Sequence, residues 1–254
     1  MLYIYSFFFW IYLGLVTAVL VLIGMPKALL FKGSTPYKPL AVIWSKAFLF
    51  YLGVKADVRH LDRIKKDTNY VFMGNHLSYV DIFLLMYVLR DRNLLFMAKK
   101  ELFKIPLLGF AMNNIGMIPI EREDKKDGLK SLLQAAKKIS EGYSVLLFPE
   151  GTRSKDGTLG PFKRGAFLLA VRTGNKIAPF ILHGTNKALP KSGFKVYPFK
   201  KVTLEFLEPV DAAGMKDREL LAAVREVMLN ELGQSDSGAG EQSGGQAAEP
   251  ENRS

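Results

Sequence analysis

Between Met1 and Pro26 the chain carries no charged side chain, and after Met1 it reads LYIYSFFFWIYLGLVTAVLVLIGM. Coiled as a helix, those 24 residues extend about 36 Å, against a hydrocarbon core of about 30 Å. Tyr3, Tyr5, Phe7, Phe8, Phe9, Trp10 and Tyr12 suit an aromatic belt at a membrane interface. A cleaved signal peptide needs a positive start and a shorter apolar core, whereas the first basic residue here is Lys27; the expectation is a retained membrane segment. Lys27, Lys32, Lys38 and Lys46 follow, so the positive-inside rule places the rest of the chain on the cytoplasmic face, of the inner membrane if the source is bacterial. A second apolar stretch, Leu40–Val54, contains Ser45 and Lys46 and is short for a span. It fits an interfacial helix or the second arm of a hairpin dipping into one leaflet. Spanning and dipping both satisfy the pattern.

At the other end, residues 233–254 are Gly, Ser, Gln and Glu with almost no apolar side chains, the composition of a disordered tail. The expected organisation is a membrane-anchoring helical region over 1–54, one domain over 55–232, and the tail. The formal charge is +11, and the tail contributes −3, so residues 1–232 hold +14. That balance suits an anionic partner: nucleic acid, membrane surface or a phosphorylated substrate. The chain has no cysteine, which removes disulfides, thiolate metal sites, iron–sulfur clusters and thiol nucleophiles. Its three histidines, His60, His76 and His183, are too scattered for a three-His metal site, and no metal is expected.

In between, short apolar runs alternate with helical patterns. Val54–Val58, with period-two alternation, reads as a half-exposed strand. Tyr70–Met73, Leu94–Met97, Met117–Ile120, Val145–Phe148, Ala178–Leu182 and Val202–Leu207 are further strand candidates. Helical spacing joins Leu129, Leu132, Leu133, Ala136 and Ile139, and again Leu220, Leu221, Val224, Val227, Met228 and Leu232. The interleaving predicts an α/β fold, a mixed sheet flanked by helices, preceded by the N-terminal membrane-associated helical segment. No GxGxxG or GxxxxGKS cradle is present.

Two polar clusters interrupt the apolar pattern. Asn75, His76, Ser78 and Asp81 lie where a strand candidate turns into an apolar helix. His76 can act as a general base with Asp81 on its other ring nitrogen. A spacing of five is not a same-face helical spacing, so the pair meets only if His76 precedes the helix and its ring folds back. Ser78 and Asp81 equally form a capping box, with the acid suited to the helix dipole. In the second cluster, Phe148–Ser154 (FPEGTRS), Gly151 permits a tight turn and Arg153 offers a planar fork for phosphate or carboxylate. A plain turn with a surface Arg–Glu pair is the competing reading.

Taken together, NHLSYVD at 75–81 and FPEGTRS at 148–154 resemble the NHxSxxD and FPEGTRS blocks of the glycerolipid acyltransferases of the HxxxxD type, most nearly the bacterial 1-acyl-sn-glycerol-3-phosphate acyltransferases. Lys99–Gly109 with Gly116–Arg122 is similar to that family's second block, Ile177–Ile181 to its fourth, and Phe162–Ala166 is also of the family type. The resemblance implies acyl transfer from a thioester, acyl-CoA or acyl-carrier protein, to the sn-2 hydroxyl of lysophosphatidic acid, giving phosphatidic acid in phospholipid biosynthesis. No cofactor is implied. By position, His76 would take the acceptor's proton, Asp81 would fix its tautomer, and no covalent acyl-enzyme would form. Ser78 returns to helix capping. Arg153, Lys99 and Arg122 would hold the acceptor's phosphate, with Glu150, Gly151 and Thr152 shaping the turn or binding the glycerol. His60 and His183 match no block and are read as structural or exposed. The partners implied are membrane lipid and the acyl donor, not nucleic acid, with the oligomeric state open.

Three rival readings stand beside this one. A sister enzyme of the family would use glycerol-3-phosphate or another lysolipid. A membrane-anchored basic binding module would leave His76 and Asp81 as mere capping, and would interleave exposed aromatics with basic residues. A lipid hydrolase lacks its GxSxG.

Overall fold

The structure is a computed structural model and describes residues 1–30, 37–121 and 125–235. Helices α1 (Leu2–Leu30) and α2 (Tyr37–Tyr51) come first, then strand β1 (Lys55–Arg59) and strand β2 (Val71–Gly74). Next are α3 (Val80–Val88), β3 (Leu94–Lys99), α4 (Leu108–Ile115), β4 (Ile118–Ile120), α5 (Lys125–Ser140) and β5 (Ser144–Leu147). The chain continues through α6 (Arg164–Thr173), β6 (Ile177–His183), α7 (Thr185–Ala188), β7 (Lys201–Phe206) and α8 (Asp217–Leu232). The seven strands form one sheet in the order β1-β7-β6-β2-β5-β3-β4. Every pairing is parallel except β6 with β7.

Side-chain alternation along the strands builds two cores. Val71, Met73, Val145, Leu147, Ile177 and Ile181 face α5, α6 and α8. Phe72, Leu146, Phe148, Ala178 and Phe180 face α3 and α4, with Ala41 of α2. A fully buried Val, Leu, Ile or Phe stabilises by about 1.5–3 kcal/mol over an exposed one, so these layers supply the main driving force. Two expectations change. All five residues of β1 are exposed, because it is an edge strand and its Lys55, Asp57 and Arg59 keep that edge wet. On α5 the inward stripe is Leu132, Ala135, Ala136 and Ile139, while Leu129 and Leu133, one turn apart, face outward.

The apolar helices belong to the same body. On α2, Tyr37, Ala41, Ser45 and Phe48 are buried, a helical stripe, and Phe48 stacks on Phe83 of α3 at 3.5 Å between centroids. On α1 the inward line runs through Ser6, Phe9, Leu13, Thr17, Val21 and Gly24. Ser6 Oγ accepts the Val196 N–H at 3.0 Å, and Trp10 Nε1 donates to the Phe194 carbonyl at 2.8 Å. Some 15 residues on, about 22 Å along the helix, Val21 packs with Tyr37 and with Ala111 of α4. Both ends of α1 therefore rest on one domain, while Ile4, Phe7, Phe8, Leu15, Leu22 and Ile23 face outward.

Candidate active site

β2 connects through α3 toward β3 on one side, and β5 connects through α6 toward β6 on the other. The two helices lie on opposite faces of the sheet, which opens a crevice at the carboxyl ends of these neighbouring strands. Both polar clusters sit there.

Asn75 extends the β2–β6 ladder with its side chain: Nδ2 donates to the Leu182 carbonyl at 2.9 Å and Oδ1 accepts the Leu182 N–H at 2.8 Å. His76 follows, just before α3. Its Nδ1 lies 2.8 Å from Asp81 Oδ2, which also accepts the N–H groups of Leu77 and Ser78 at 2.7 and 2.8 Å. Three donors on one oxygen fold the turn back onto the helix's first residues. The carboxylate acceptor assigns the proton to Nδ1 and leaves the lone pair on Nε2. The imidazole stacks on Phe148 at 3.9 Å and 12°, and its side chain is 9% exposed. Asp81 is fully buried, and its Oδ1 has no hydrogen-bond partner among the described residues.

The expected capping box is only half formed. Asp81 takes the Ser78 N–H, but Ser78 Oγ accepts from Val80 N at 3.1 Å and donates to the Leu189 carbonyl at 2.7 Å. A hydroxyl committed in this way is no nucleophile.

The second turn grips His76 by its backbone. Glu150 Oε1 accepts the His76 N–H at 2.9 Å, and Ser154 N donates to the His76 carbonyl at 2.7 Å. Glu150 Oε2 accepts the Gly160 N–H at 3.0 Å. Burial raises the pKa of Glu150 above the usual carboxylate range; its two backbone N–H partners lower it, Asp81 raises it, and the Arg225 charge lowers it. Both Glu150 oxygens are thus held by main chain at the joint between the clusters. Gly151 has φ +72°, a conformation that calls for glycine, and the flexible Lys163 side chain lies over it, with Cε 2.8 Å from where a Cβ would stand.

Three cations border this turn. The Arg153 guanidinium lies 4.0 Å over the Tyr79 ring, Lys163 passes over Gly151, and Lys191 Nζ donates to Thr152 Oγ1 at 3.2 Å and to the Arg153 carbonyl. Lys191 carried no sequence signal, and Lys163 only its place in the Phe162–Ala166 block. Lys99 ends β3, next to β5 but two strands from β2 and His76, on the Met97 side of the sheet, and pairs with Glu101 at 3.3 Å. Arg122 lies outside the described residues. His60 pairs with Glu205 at 3.5 Å, and His183 is exposed at the end of β6. A buried imidazole with Nδ1 on a carboxylate and the lone pair on Nε2 is the geometry of a general base.

The family model described as Acyltransferase matches residues 55–183. Among curated relatives, a chloroplastic 1-acyl-sn-glycerol-3-phosphate acyltransferase of Brassica napus is 37% identical over 180 residues, 70% of this chain and 52% of that one. One from Haemophilus influenzae is 30% identical over 188 residues, 72% of this chain and 77% of that one. The chain spans about half the length of the plant relatives it matches. A crystal structure of the 1-acyl-sn-glycerophosphate acyltransferase PlsC of Thermotoga maritima superposes with a TM-score of 0.76 at 27% identity, covering 93% of this chain and all of that one.

Proposed function

The chain belongs to the acyltransferase family, and we propose that it moves a fatty acyl group from acyl-CoA or acyl-carrier protein to the sn-2 hydroxyl of lysophosphatidic acid, forming phosphatidic acid. The observation that carries this reading is the His76–Asp81 contact at 2.8 Å, set at the crevice of an α/β sheet whose relatives bear that activity in their names. Nε2 of His76 takes the acceptor's hydroxyl proton as the oxygen attacks the thioester carbonyl. Asp81 supports the imidazolium across Nδ1. The tetrahedral intermediate expels the thiolate, and the imidazolium returns the proton to sulfur. No enzyme nucleophile enters: Ser78 is committed to Leu189, and the chain has no cysteine. Arg153 holds the acceptor's phosphate, whose charge of about −1.5 to −2 suits further cations beside it; Lys163 and Lys191 fill that place.

The substrate is a membrane lipid, and α1 meets it in the plane of the interface. A helix held at both ends by one domain cannot leave that domain to cross a bilayer, so its outward apolar face enters the boundary of headgroups and acyl chains. Lys27, Lys38 and Lys46, which follow the apolar stretch, suit anionic headgroups on the face of the membrane where the domain rests.

The test is acyl transfer by the purified protein in detergent. Labelled lysophosphatidic acid is supplied with acyl-CoA or acyl-carrier protein, and His76→Ala is run beside the wild type. Phosphatidic acid from the wild type alone is expected. No product with either donor sinks the assignment, and product from glycerol-3-phosphate or another lysolipid in parallel reactions identifies a sister enzyme instead.

A further inference from the structure

We infer that Arg225, on α8, is a positioning residue for the proposed acyl transfer, holding the turn that anchors Glu150 and, through Glu150, the backbone of His76. The inference rests on the proposed reaction for its kinetic consequence only. On α8 the inward neighbours of Arg225 are Leu220, Val224, Met228 and Leu229, and Arg225 itself is 7% exposed. A buried guanidinium among apolar residues contributes nothing as packing that a methionine would not, because its desolvation is costly. Its partners account for it. Nη1 donates to the Gly160 carbonyl at 2.7 Å, and the guanidinium lies 5.3 Å from the Phe162 ring centre.

Gly160 is held on both its peptide groups. Its carbonyl accepts from Arg225, and its N–H donates to Glu150 Oε2 at 3.0 Å. The other Glu150 oxygen accepts the His76 N–H at 2.9 Å. Three hydrogen bonds in series therefore run from α8 to the residue proposed as base. A second clamp lies beside the first: past the end of α8, Gln234 Oε1 accepts the Leu159 N–H at 2.9 Å and Nε2 donates to the Gly157 carbonyl at 3.2 Å. α8 thus holds the 157–160 segment at two points. The charges around the Glu150 carboxylate point the same way. Asp81 opposes its ionisation, Arg225 favours it, and Lys163 lies across the neighbouring Gly151. Burial is the largest influence on that carboxyl group and raises its pKa; what Arg225 adds in space is to fix Gly160, one of its two N–H donors.

The variant is Arg225→Met, which keeps the aliphatic volume and removes donor and charge. Full-length protein labelled with 15N-histidine gives three amide signals, and His76→Gln identifies one of them. In folded Arg225→Met the His76 amide is expected to shift and to exchange with solvent roughly tenfold faster or more, while those of His60 and His183 hold. In the transfer assay kcat falls roughly tenfold or more, with KM for both substrates within about twofold, as loss of positioning requires. Arg225→Gln, which removes the charge and shortens the reach to the Gly160 carbonyl, carries the same readouts if Arg225→Met does not fold, and Gly160→Ala loads the same joint from the other side, because its Cβ would stand 3.0 Å from Glu150 Oε2. An unchanged His76 amide in a folded variant overturns the inference, as does an equal change at all three histidines, which marks general loosening. A specific response at His76 in a protein that makes no phosphatidic acid keeps the Arg225 linkage and overturns its catalytic meaning together with the proposed reaction.

Discussion

Asp81→Asn separates the electrostatic work of Asp81 from its work on the fold. In the wild type, Oδ2 accepts from His76 Nδ1, Leu77 N and Ser78 N, while Oδ1 is buried without a partner among the described residues. An asparagine placed with its oxygen at Oδ2 keeps all three donors and puts its NH2 where Oδ1 was. Nδ1 of His76 stays protonated, so the tautomer survives and only the carboxylate charge is lost. A hydrogen bond to a charged group contributes about 1.5–3 kcal/mol against about 0.5–1.5 for a neutral one, and the difference of about 1–1.5 kcal/mol, at about 1.4 kcal/mol per decade, is a fall in kcat of about 5- to 12-fold. Losing the tautomer as well would cost nearer 10⁴-fold, the value known for a serine-protease triad. Asp81→Ala behaves differently: it strands two buried backbone N–H groups at about 1–3 kcal/mol each, a large share of a domain's stability of about 5–15 kcal/mol. The assay is phosphatidic acid formation in detergent at saturating substrates, with thermal unfolding alongside. A folded Asp81→Asn protein within about threefold of wild-type kcat would falsify the charge argument, and a loss near 10⁴-fold would show that the oxygen does not stay on Nδ1.

Three further outcomes follow from the geometry. Arg153→Ala is expected to raise KM for lysophosphatidic acid about 10- to 150-fold with kcat little changed, the mark of a charged contact made equally in ground and transition states; initial rates over a range of acceptor concentrations decide it, and an unchanged KM removes Arg153 from the phosphate site. Leu15→Lys, on the outward face of α1, should leave thermal stability in detergent within about 0.5 kcal/mol but weaken co-sedimentation with anionic vesicles about 10-fold or more, whereas Phe9→Ala, fully buried, should cost about 3–5 kcal/mol of stability; equal vesicle binding by Leu15→Lys and wild type argues against the interfacial placement. Because burial raises the folded pKa of Glu150, the native state binds the extra proton. Wild-type stability relative to Glu150→Gln should therefore fall as pH rises from about 4.5 through that raised pKa; thermal midpoints across this window measure it, and a difference that grows with pH contradicts the sign.

Much of this protein is written locally in its sequence. All seven strands lie where short runs placed them, within two residues at each end, because strands such as β2 and β5, buried on both faces, must read as continuous apolar runs between polar turns. The His76–Asp81 pair was legible for a similar reason: five residues meet only across a strand-to-helix turn, and the composition on either side announced that turn. The fit fails for a helix with one face as apolar as the other. On α1 the inward line from Ser6 to Gly24 and the outward line from Ile4 to Ile23 are both oily, so hydropathy reported a membrane segment and was blind to the domain against which it rests.

What the tertiary structure alone decided is pairing. Strand order, the reversal of β7 against β6, and the meeting of Lys191 with a turn 38 residues earlier depend on where crossovers carry the chain, which no local pattern records. Glu150 is the sharpest case. Its partners are the N–H groups of His76 and Gly160, and every residue but proline carries that same group. The sequence by itself determined which side chains could do the chemistry, through residue type and spacing. Which backbone groups hold those side chains in place was settled only by folding, because main-chain donors are identical until the fold brings one of them within reach.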